Sequence, residues 1–166
     1  TASGTEWRNR LNLGESPMVA SELYHPLNWT SGPSDDWFVA GWAMAESRRI
    51  SLYSLGGRQL GLFSRLTVRG GLDLGQPWGG FGELRFGLLH ESRRTRARLL
   101  SADYTGQETA PLEHESGVRV RTVIDQLDFA LFPQRGYRFE AQLVAGERRT
   151  GSQTASFHHL QASGTY

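Results

Sequence analysis

The sequence predicts an all-β fold, a transmembrane antiparallel up-and-down β-barrel with eight strands in this chain. Three observations predict it. Between 58 and 76, Leu66 and Val68 alternate with Arg65 and Thr67, in a pattern far longer than the ~5–6 residues of most globular strands. Several other segments repeat this alternation. Hydrophobic residues make up only 38%, and no stretch approaches the roughly 20 apolar residues of a spanning helix, so a membrane chain of this composition has to cross as strands.

Eight segments carry the alternating pattern, an even number as in bacterial single-chain barrels. Strand 3 begins with the pair Trp37 and Phe38, strand 6 changes parity near Gln126, which predicts a bulge, and strand 8 is the least regular. The strands are predicted at 5–14, 17–29, 36–54, 57–76, 80–98, 116–132, 135–149 and 152–166. Their apolar sides carry Trp7 and Leu11, Val19 and Leu23, Leu66 and Leu72, Leu84 and Phe86, Val118 and Val120, and Phe139 and Leu143.

Length, charge and cysteine content exclude several classes of protein. The 166 residues make one predicted domain, 1–166. Without cysteine there is neither a disulfide framework nor a thiolate metal site, and the five histidines lack ligand spacing, so we expect no metal and no cofactor. A net charge of +1 gives no overall case for nucleic acid. The chain shows no signal peptide, so for an exported barrel we expect a mature or excised segment.

The connections predict how the barrel lies in a bacterial outer membrane. The longest polar stretch, 101–116, suits the extracellular side, where such barrels have their longer loops. The turns near Pro33, Pro77 and Pro133, and both chain ends, are then periplasmic. Aromatic residues concentrate at that end, as expected of an interfacial girdle. The predicted girdle consists of Trp7, Trp29, Trp37, Trp78, Phe132, Tyr137 and Tyr166.

The opposite strand ends are rich in arginine. The guanidinium fork is well shaped for phosphate, so a basic outer rim suits a membrane surface of anionic lipopolysaccharide, and lipid is the predicted partner. A solvated strand tip would show the same pattern, and that alternative stays open. The predicted rim consists of Arg48, Arg49, Arg93, Arg94, Arg148 and Arg149.

The polar side of the strands carries charges of both signs, which predicts an ion-paired lumen, since unpaired charges in a confined interior are costly. Eight strands make a barrel that side chains just fill, whereas a conducting lumen would require a larger assembly. The predicted network consists of Arg8, Arg10, Glu22, Arg65, Arg69, Asp73, Glu83, Arg85, Arg119, Arg121, Asp125, Arg138 and Glu140, with Glu91 on the same side.

Two stretches resemble a known family. Residues 125–140, DQLDFALFPQRGYRFE, resemble the strand-turn-strand signature of the bacterial surface-antigen barrel, in which an acidic strand runs into FPxRGY. Residues 17–43 resemble the early barrel hairpin of the same outer-membrane assembly and two-partner-secretion superfamily, especially in patatin-like phospholipase autotransporters. The turn motif is Phe132, Pro133, Arg135, Gly136 and Tyr137, in which proline and glycine shape a tight turn.

The chain also departs from what this resemblance implies. Family barrels have sixteen strands, and eight are predicted here, so the chain looks like an excised or engineered half barrel. Neither the late VRGY-type loop motif nor the GxSxG nucleophile of the patatin hydrolase is present. Strand 1 can pair with strand 8 to close the barrel, or the two edges can join two copies as a homodimer. The parent protein is expected to carry a passenger domain.

The sequence therefore favours a non-catalytic translocator or anchor barrel of type V secretion. One alternative is a pore for secretion or membrane-protein insertion, which requires a second half. Another is an outer-membrane lipid hydrolase, for which His158 and His159 with Ser156 or Ser163, and His90 with Ser92 and Glu91, are the candidates. Adjacent residues of a strand point to opposite faces, so His158 and His159 cannot serve one site, and we expect no enzyme.

Overall fold

The computed structural model describes residues 4–27, 37–127 and 135–166. It confirms an all-β chain of eight antiparallel strands joined up and down in a single sheet, with neighbours in chain order. Among the described residues, no helix is long and apolar enough to cross a membrane. The strands are β1 (Glu6–Asn12), β2 (Met18–Leu27), β3 (Trp37–Tyr53), β4 (Gln59–Trp78), β5 (Gly82–Leu100), β6 (Glu113–Asp125), β7 (Arg138–Thr150) and β8 (Gln153–Thr165).

The sheet has two edges. Seven ladders join consecutive strands, and within the described ranges no ladder joins β1 to β8. The two edge strands differ in length, 7 residues in β1 and 13 in β8. The predicted closure of strand 1 on strand 8 is therefore absent from the described part of the chain, and closure belongs to the proposals below.

Several strand limits differ from the predicted ones. β6 begins at Glu113 rather than 116, because Glu113 pairs with both Arg93 and Thr150 and extends both ladders. It ends at Asp125, close to the predicted bulge, where the Gln126 amide instead donates to the Tyr137 carbonyl at 2.9 Å.

The predicted turn at Pro77 lies slightly further along the chain. Pro77 is inside β4, opposite Glu83, and the turn follows at Gly79, whose φ of +57 is readily available to glycine. Register shifts occur instead between Leu52 and Tyr53 and between Leu62 and Phe63. Pro33 and Pro133 are outside the described residues.

The two faces of the sheet are inverted relative to a water-soluble protein. We call the side that carries Leu72, Leu88 and Leu160 the apolar face, and these side chains are 67%, 61% and 72% exposed. We call the opposite side, with Asp73 and Arg85, the ionic face, and these two residues are 3% and 4% exposed. Exposed leucine and buried charge are both unfavourable in water, so this distribution is the reverse of the usual one.

Glycines of β4 make room for aromatic rings on the ionic face. Phe38 of β3 is directly opposite Gly75, and Trp42 is opposite Gly71. A Cβ added at Gly75 would lie 2.2 Å from Cζ of Phe38, and one added at Gly71 would lie 2.8 Å from Cζ2 of Trp42. The rings therefore occupy the space that a side chain at either glycine would need, and aromatic contact of this kind compensates for glycine in strands. Ala40, between the two rings, is buried opposite Asp73.

Candidate functional site: the ionic face

Asp73 is the centre of the ionic face. Its side chain is fully buried, and Oδ2 accepts a hydrogen bond from Nη2 of Arg119 at 2.5 Å, with Nη1 of Arg85 at 3.8 Å. A Cβ at Gly87, directly opposite Asp73, would lie 1.9 Å from its Oδ1. The glycine therefore makes the space in which a buried carboxylate can meet two guanidinium groups.

Arg85 connects this acid to a distant strand. Its Nη1 donates to Oε2 of Glu22 at 2.6 Å, and its Nε donates to Oε1 of Glu83 at 2.8 Å. β5 and β2 are three positions apart in the sheet, about 14 Å of arc at the usual strand spacing. Side chains that leave the sheet on one side can meet over this distance when the sheet is strongly curved.

The two central arginines also lie over the aromatic rings. The guanidinium carbon of Arg119 is 4.4 Å from the ring centroid of Trp42, and that of Arg85 is 5.1 Å from the centroid of Phe38. Both distances are within the range of cation–π attraction. Each arginine is thus held by a carboxylate on one side and a ring on another, which fixes its orientation.

A second cluster lies further along β5. Glu91 of β5 is buried and contacts Nη2 of Arg93 at 2.5 Å and Nε of Arg69 at 3.2 Å. Arg93 in turn contacts Glu113 at 2.9 Å and Glu115 at 3.5 Å. Four strands, β4 to β7, therefore contribute charges to one alternating chain, which ends at Arg148, 2.6 Å from Glu115.

The remaining predicted network residues form smaller pairs or none. Arg121 contacts Glu140 at 2.8 Å, and Arg138 contacts Asp125 at 3.2 Å. Arg8 is shared between Glu6 at 2.5 Å and Glu22 at 3.3 Å. Arg65 is hydrogen-bonded to Thr95 at 3.3 Å, and no described carboxylate pairs with Arg10. All thirteen predicted residues lie on the ionic face: Arg8, Arg10, Glu22, Arg65, Arg69, Asp73, Glu83, Arg85, Arg119, Arg121, Asp125, Arg138 and Glu140.

The ionic face borders an open cavity of about 920 Å³. All eight strands contribute to its lining, including Arg8 of β1 and Gln161 of β8, which belong to the two edges of the sheet. Since both edge strands line one space, and Arg85 of β5 reaches Glu22 of β2, the sheet is strongly curved. Charged residues of both clusters line this space, among them Glu22, Arg85, Glu91 and Arg119.

Strand register decides which of the predicted charged residues meet. Arg69 is directly opposite Glu91, whereas Asp73 contacts Arg119 and Arg85. The predicted rim also divides between the two faces. Arg48, Arg93 and Arg148 are ion-paired on the ionic face, whereas Arg49, Arg94 and Arg149 are exposed on the apolar face.

Sequence reasoning missed several members of the two clusters. Glu113 and Glu115 fell within the predicted loop, although they continue the parity of Arg119 without a break. Phe38 was named only at the start of strand 3 and Trp42 not at all, yet their even positions match those of Met44 and Glu46 on the ionic face. Parity is therefore the signal that could have found them.

The described residues of the predicted girdle lie at one end of the sheet. Trp37 starts β3 opposite Leu27, Trp78 ends β4, and Tyr166 follows β8. Trp7 is 73% exposed, and its indole donates to Oγ of Ser21 at 2.8 Å. Trp29 and Phe132 are outside the described residues.

The family turn motif is described only from Arg135 onward, so Phe132 and Pro133 are not covered. Gly136 has φ +106, and a Cβ there would lie 2.0 Å from the Gln126 carbonyl oxygen. Tyr137 follows, 44% exposed on the apolar face, and its carbonyl accepts from Gln126. The position therefore favours glycine for both its dihedral angle and its close approach.

The hydrolase alternative names His90, His158 and His159, and the structure gives the partners of the first and the faces of the other two. His90 contacts Oγ of Ser116 through Nδ1 at 2.8 Å and is stacked with His114 at 5.7 Å, whereas Glu91 points to the ionic face. Within 4–27, 37–127 and 135–166, no carboxylate hydrogen-bonds to either ring, so the group that usually orients a catalytic histidine is not found there. His158 and His159 are on opposite faces, as expected of neighbours in a strand.

The described residues contain no group of three or more histidine, aspartate or glutamate side chains arranged to hold a metal ion. Comparisons of the chain with protein-family models, with curated proteins and with solved structures give no match. The function must therefore be argued from the two faces of the sheet.

Proposed function

We propose that this chain is a non-catalytic transmembrane β-barrel of the bacterial outer membrane, a translocator or anchor barrel with a plugged ionic interior. The observation that carries the proposal is the inversion of its faces, with leucines outside and ion-paired charges inside. Such a sheet would aggregate in water, but lipid would cover the apolar face, while the ion pairs would satisfy one another within the lumen.

The height of the apolar face supports the membrane assignment. On β7 it runs from Tyr137 through Leu143 to Ala145, and Glu147 is the next residue of that face. These nine positions span about 27 Å along the chain, or about 21 Å of height at a tilt of about 40°. This is close to the ~25 Å apolar band of outer-membrane barrels, and aromatic residues lie at its lower end.

The resemblance of 125–140 and 17–43 to surface-antigen barrels supports the same reading. It favours type V secretion for the parent protein, with both termini periplasmic and a passenger domain elsewhere. The fold explains one residue of that motif. Gly136 has a backbone angle and a close contact with Gln126 that both favour glycine.

Quenching of tryptophan fluorescence tests the proposal. Two variants, refolded in phosphatidylcholine vesicles, retain either Trp78 or Trp42 alone, with phenylalanine at the other tryptophans. Trp78 lies at the end of the sheet beside lipid in our proposal, so brominated phosphatidylcholine should quench it strongly. Trp42, on the ionic face beneath Arg119, should be quenched much less. Equal quenching of both by brominated lipid would contradict the assignment of the faces.

A second candidate is a secretion or insertion pore formed with a second half. It is favoured by the two edges, since backbone groups of unpaired strands cannot remain exposed to lipid. Planar-bilayer recordings separate the candidates. A plugged eight-stranded barrel should give no large, stable conductance steps, and a sixteen-stranded pore should give them.

A further inference from the structure

The arginines of the two faces differ in their partners. All 18 cationic side chains of the chain are arginine. On the ionic face, Arg85, Arg93 and Arg119 are each held by carboxylates. On the apolar face, Arg49 and Arg94 are exposed, and neither forms an ion pair within the described parts of the chain.

Arg49, Arg94 and a third exposed arginine of the apolar face, Arg96, are neighbours. Arg49 of β3 is directly opposite Ser64 of β4, and Ser64 is directly opposite Arg96 of β5. At the usual strand spacing the backbones of Arg49 and Arg96 are about 10 Å apart. Arg94 is two residues from Arg96 on the same face, opposite Leu66. Long, flexible arginine side chains can therefore converge over the Ser64 hydroxyl.

Within the described ranges, no carboxylate forms an ion pair with these three arginines. The backbone of Glu108 lies beside this part of β5, because its carbonyl accepts from the Ala97 amide at 2.8 Å, but its carboxylate forms no ion pair with a described arginine. Glu147 is on the same face beside Arg149, where both line a separate pocket with His90. The Arg49, Arg94 and Arg96 group thus has three adjacent positive charges and no counterion among the described residues.

The position of the group at the membrane surface suggests its ligand. Leu66 and Val68, directly below on β4, belong to the apolar face and are 45% and 46% exposed. An acyl chain lying along these residues would bring its headgroup level with Ser64. A guanidinium group binds phosphate through two parallel hydrogen bonds. A phosphate monoester also carries more negative charge and more acceptor oxygens than a carboxylate, so it suits three neighbouring arginines better.

We propose that Arg49, Arg94 and Arg96, with the Ser64 hydroxyl between them, bind the phosphate of a phosphorylated lipid headgroup. The inference rests on the proposed transmembrane function, because only insertion brings lipid headgroups to this level. It replaces the broad predicted rim by a site on one face of three strands, and it includes Arg96 while excluding the ion-paired Arg48, Arg93 and Arg148.

The test is equilibrium binding to the full chain folded in dodecyl maltoside, measured by native mass spectrometry. The probes are bis-phosphorylated lipid A and, separately, inorganic phosphate. The variants are R49Q/R94Q/R96Q, which removes the three charges, and R49K/R94K/R96K, which keeps them without the planar fork. The matched control R10Q/R48Q/R65Q removes the same charge from the ionic face. Folding of every variant is verified by its heat-modifiable electrophoretic mobility.

The glutamine variant should bind lipid A at least about tenfold more weakly, as expected when several charge-assisted hydrogen bonds are lost. The affinity of the lysine variant for lipid A should lie between those of the glutamine variant and the unaltered chain, because lysine keeps the charge without the planar fork. The affinity of the control should stay within about twofold of that of the unaltered chain. Inorganic phosphate alone, at the concentrations used for lipid A, should not bind. Tight binding of inorganic phosphate would overturn the lipid assignment in favour of a free anion.

Two further outcomes separate the site from the barrel. If all variants fold and the glutamine variant binds lipid A as tightly as the unaltered chain, the phosphate site is wrong and the barrel stands. If the unaltered chain fails to fold in detergent and in vesicles, the proposed function and the site fail together.

Discussion

Asp73 on β4 accepts a hydrogen bond from Arg119 on β6, at 2.5 Å, across the strand that separates them. The aspartate side chain is fully buried, and that of the arginine is 10% exposed. Burial of the aspartate is tolerable because the arginine reaches over β5, above Gly87, which has no side chain to block it. The curvature of the sheet, the absence of a side chain at Gly87 and the pairing of Asp73 with Arg119 therefore depend on one another.

The first prediction is a strong energetic coupling between these two residues. Asp73→Asn and Arg119→Gln should each lower the free energy of unfolding by about 3 kcal/mol, because each leaves a buried charge without its partner. The double variant should cost about 1–3 kcal/mol less than the sum of the two. Urea unfolding in detergent micelles measures all three. The control pair, Arg138 and Asp125, is 48% and 43% exposed and should show coupling below about 1 kcal/mol.

Arg85 and Arg69 should respond very differently to the same substitution. Arg85→Gln should cost about 3–5 kcal/mol, since Glu22 and Glu83 lose a buried partner. Arg69→Gln should cost less than about 1 kcal/mol, because Arg69 is 38% exposed and Glu91 keeps Arg93 at 2.5 Å. Equal losses of unfolding free energy in the two variants, measured with urea, would mean that Arg85 and Arg69 contribute equally, contrary to what their distances and exposure indicate.

The alternation of side chains was sufficient to predict the strands and their faces, but not the partners within the network. Parity places Arg69 and Asp73 on one face, and only the register of β4 with β5 places Arg69 opposite Glu91. Register depends on turns and bulges, such as the one that leaves Arg98 between Ala97 and Leu99, and these have weak sequence signals. The curvature that brings Arg85 to Glu22 is likewise a property of the whole sheet.

Gly75 should not tolerate a side chain. Gly75→Ala should destabilise the fold by about 1–3 kcal/mol, because its Cβ would overlap the buried ring of Phe38. Gly80→Ala is the matched control, since an added Cβ there meets nothing within 4 Å. In the double variant, Phe38→Leu should recover part of the loss. Urea unfolding that shows the same small effect at both glycines would mean that the ring does not lie over Gly75 in solution.

Arginine on the apolar face should hinder folding into a bilayer. Leu72→Arg and Leu143→Arg should each cost about 2–4 kcal/mol of folding free energy in vesicles if these positions lie near mid-membrane. Leu55→Arg, in the exposed turn between β3 and β4, should change it by less than about 0.5 kcal/mol. A change as small as that at Leu72 and Leu143 would refute the lipid contact.

The last prediction concerns the two edges of the sheet. A free edge in lipid would leave the backbone groups of β1 and β8 without hydrogen bonds, so the edges have to pair with each other or with a second copy. Because both edge strands already line one cavity of about 920 Å³, the curvature favours closure within a single chain. Native mass spectrometry of the protein refolded in detergent should therefore give a monomer near 18.5 kDa. A stable dimer that also conducts in planar bilayers would instead mean that two halves complete a larger ring, and the pore would become the better account of the chain.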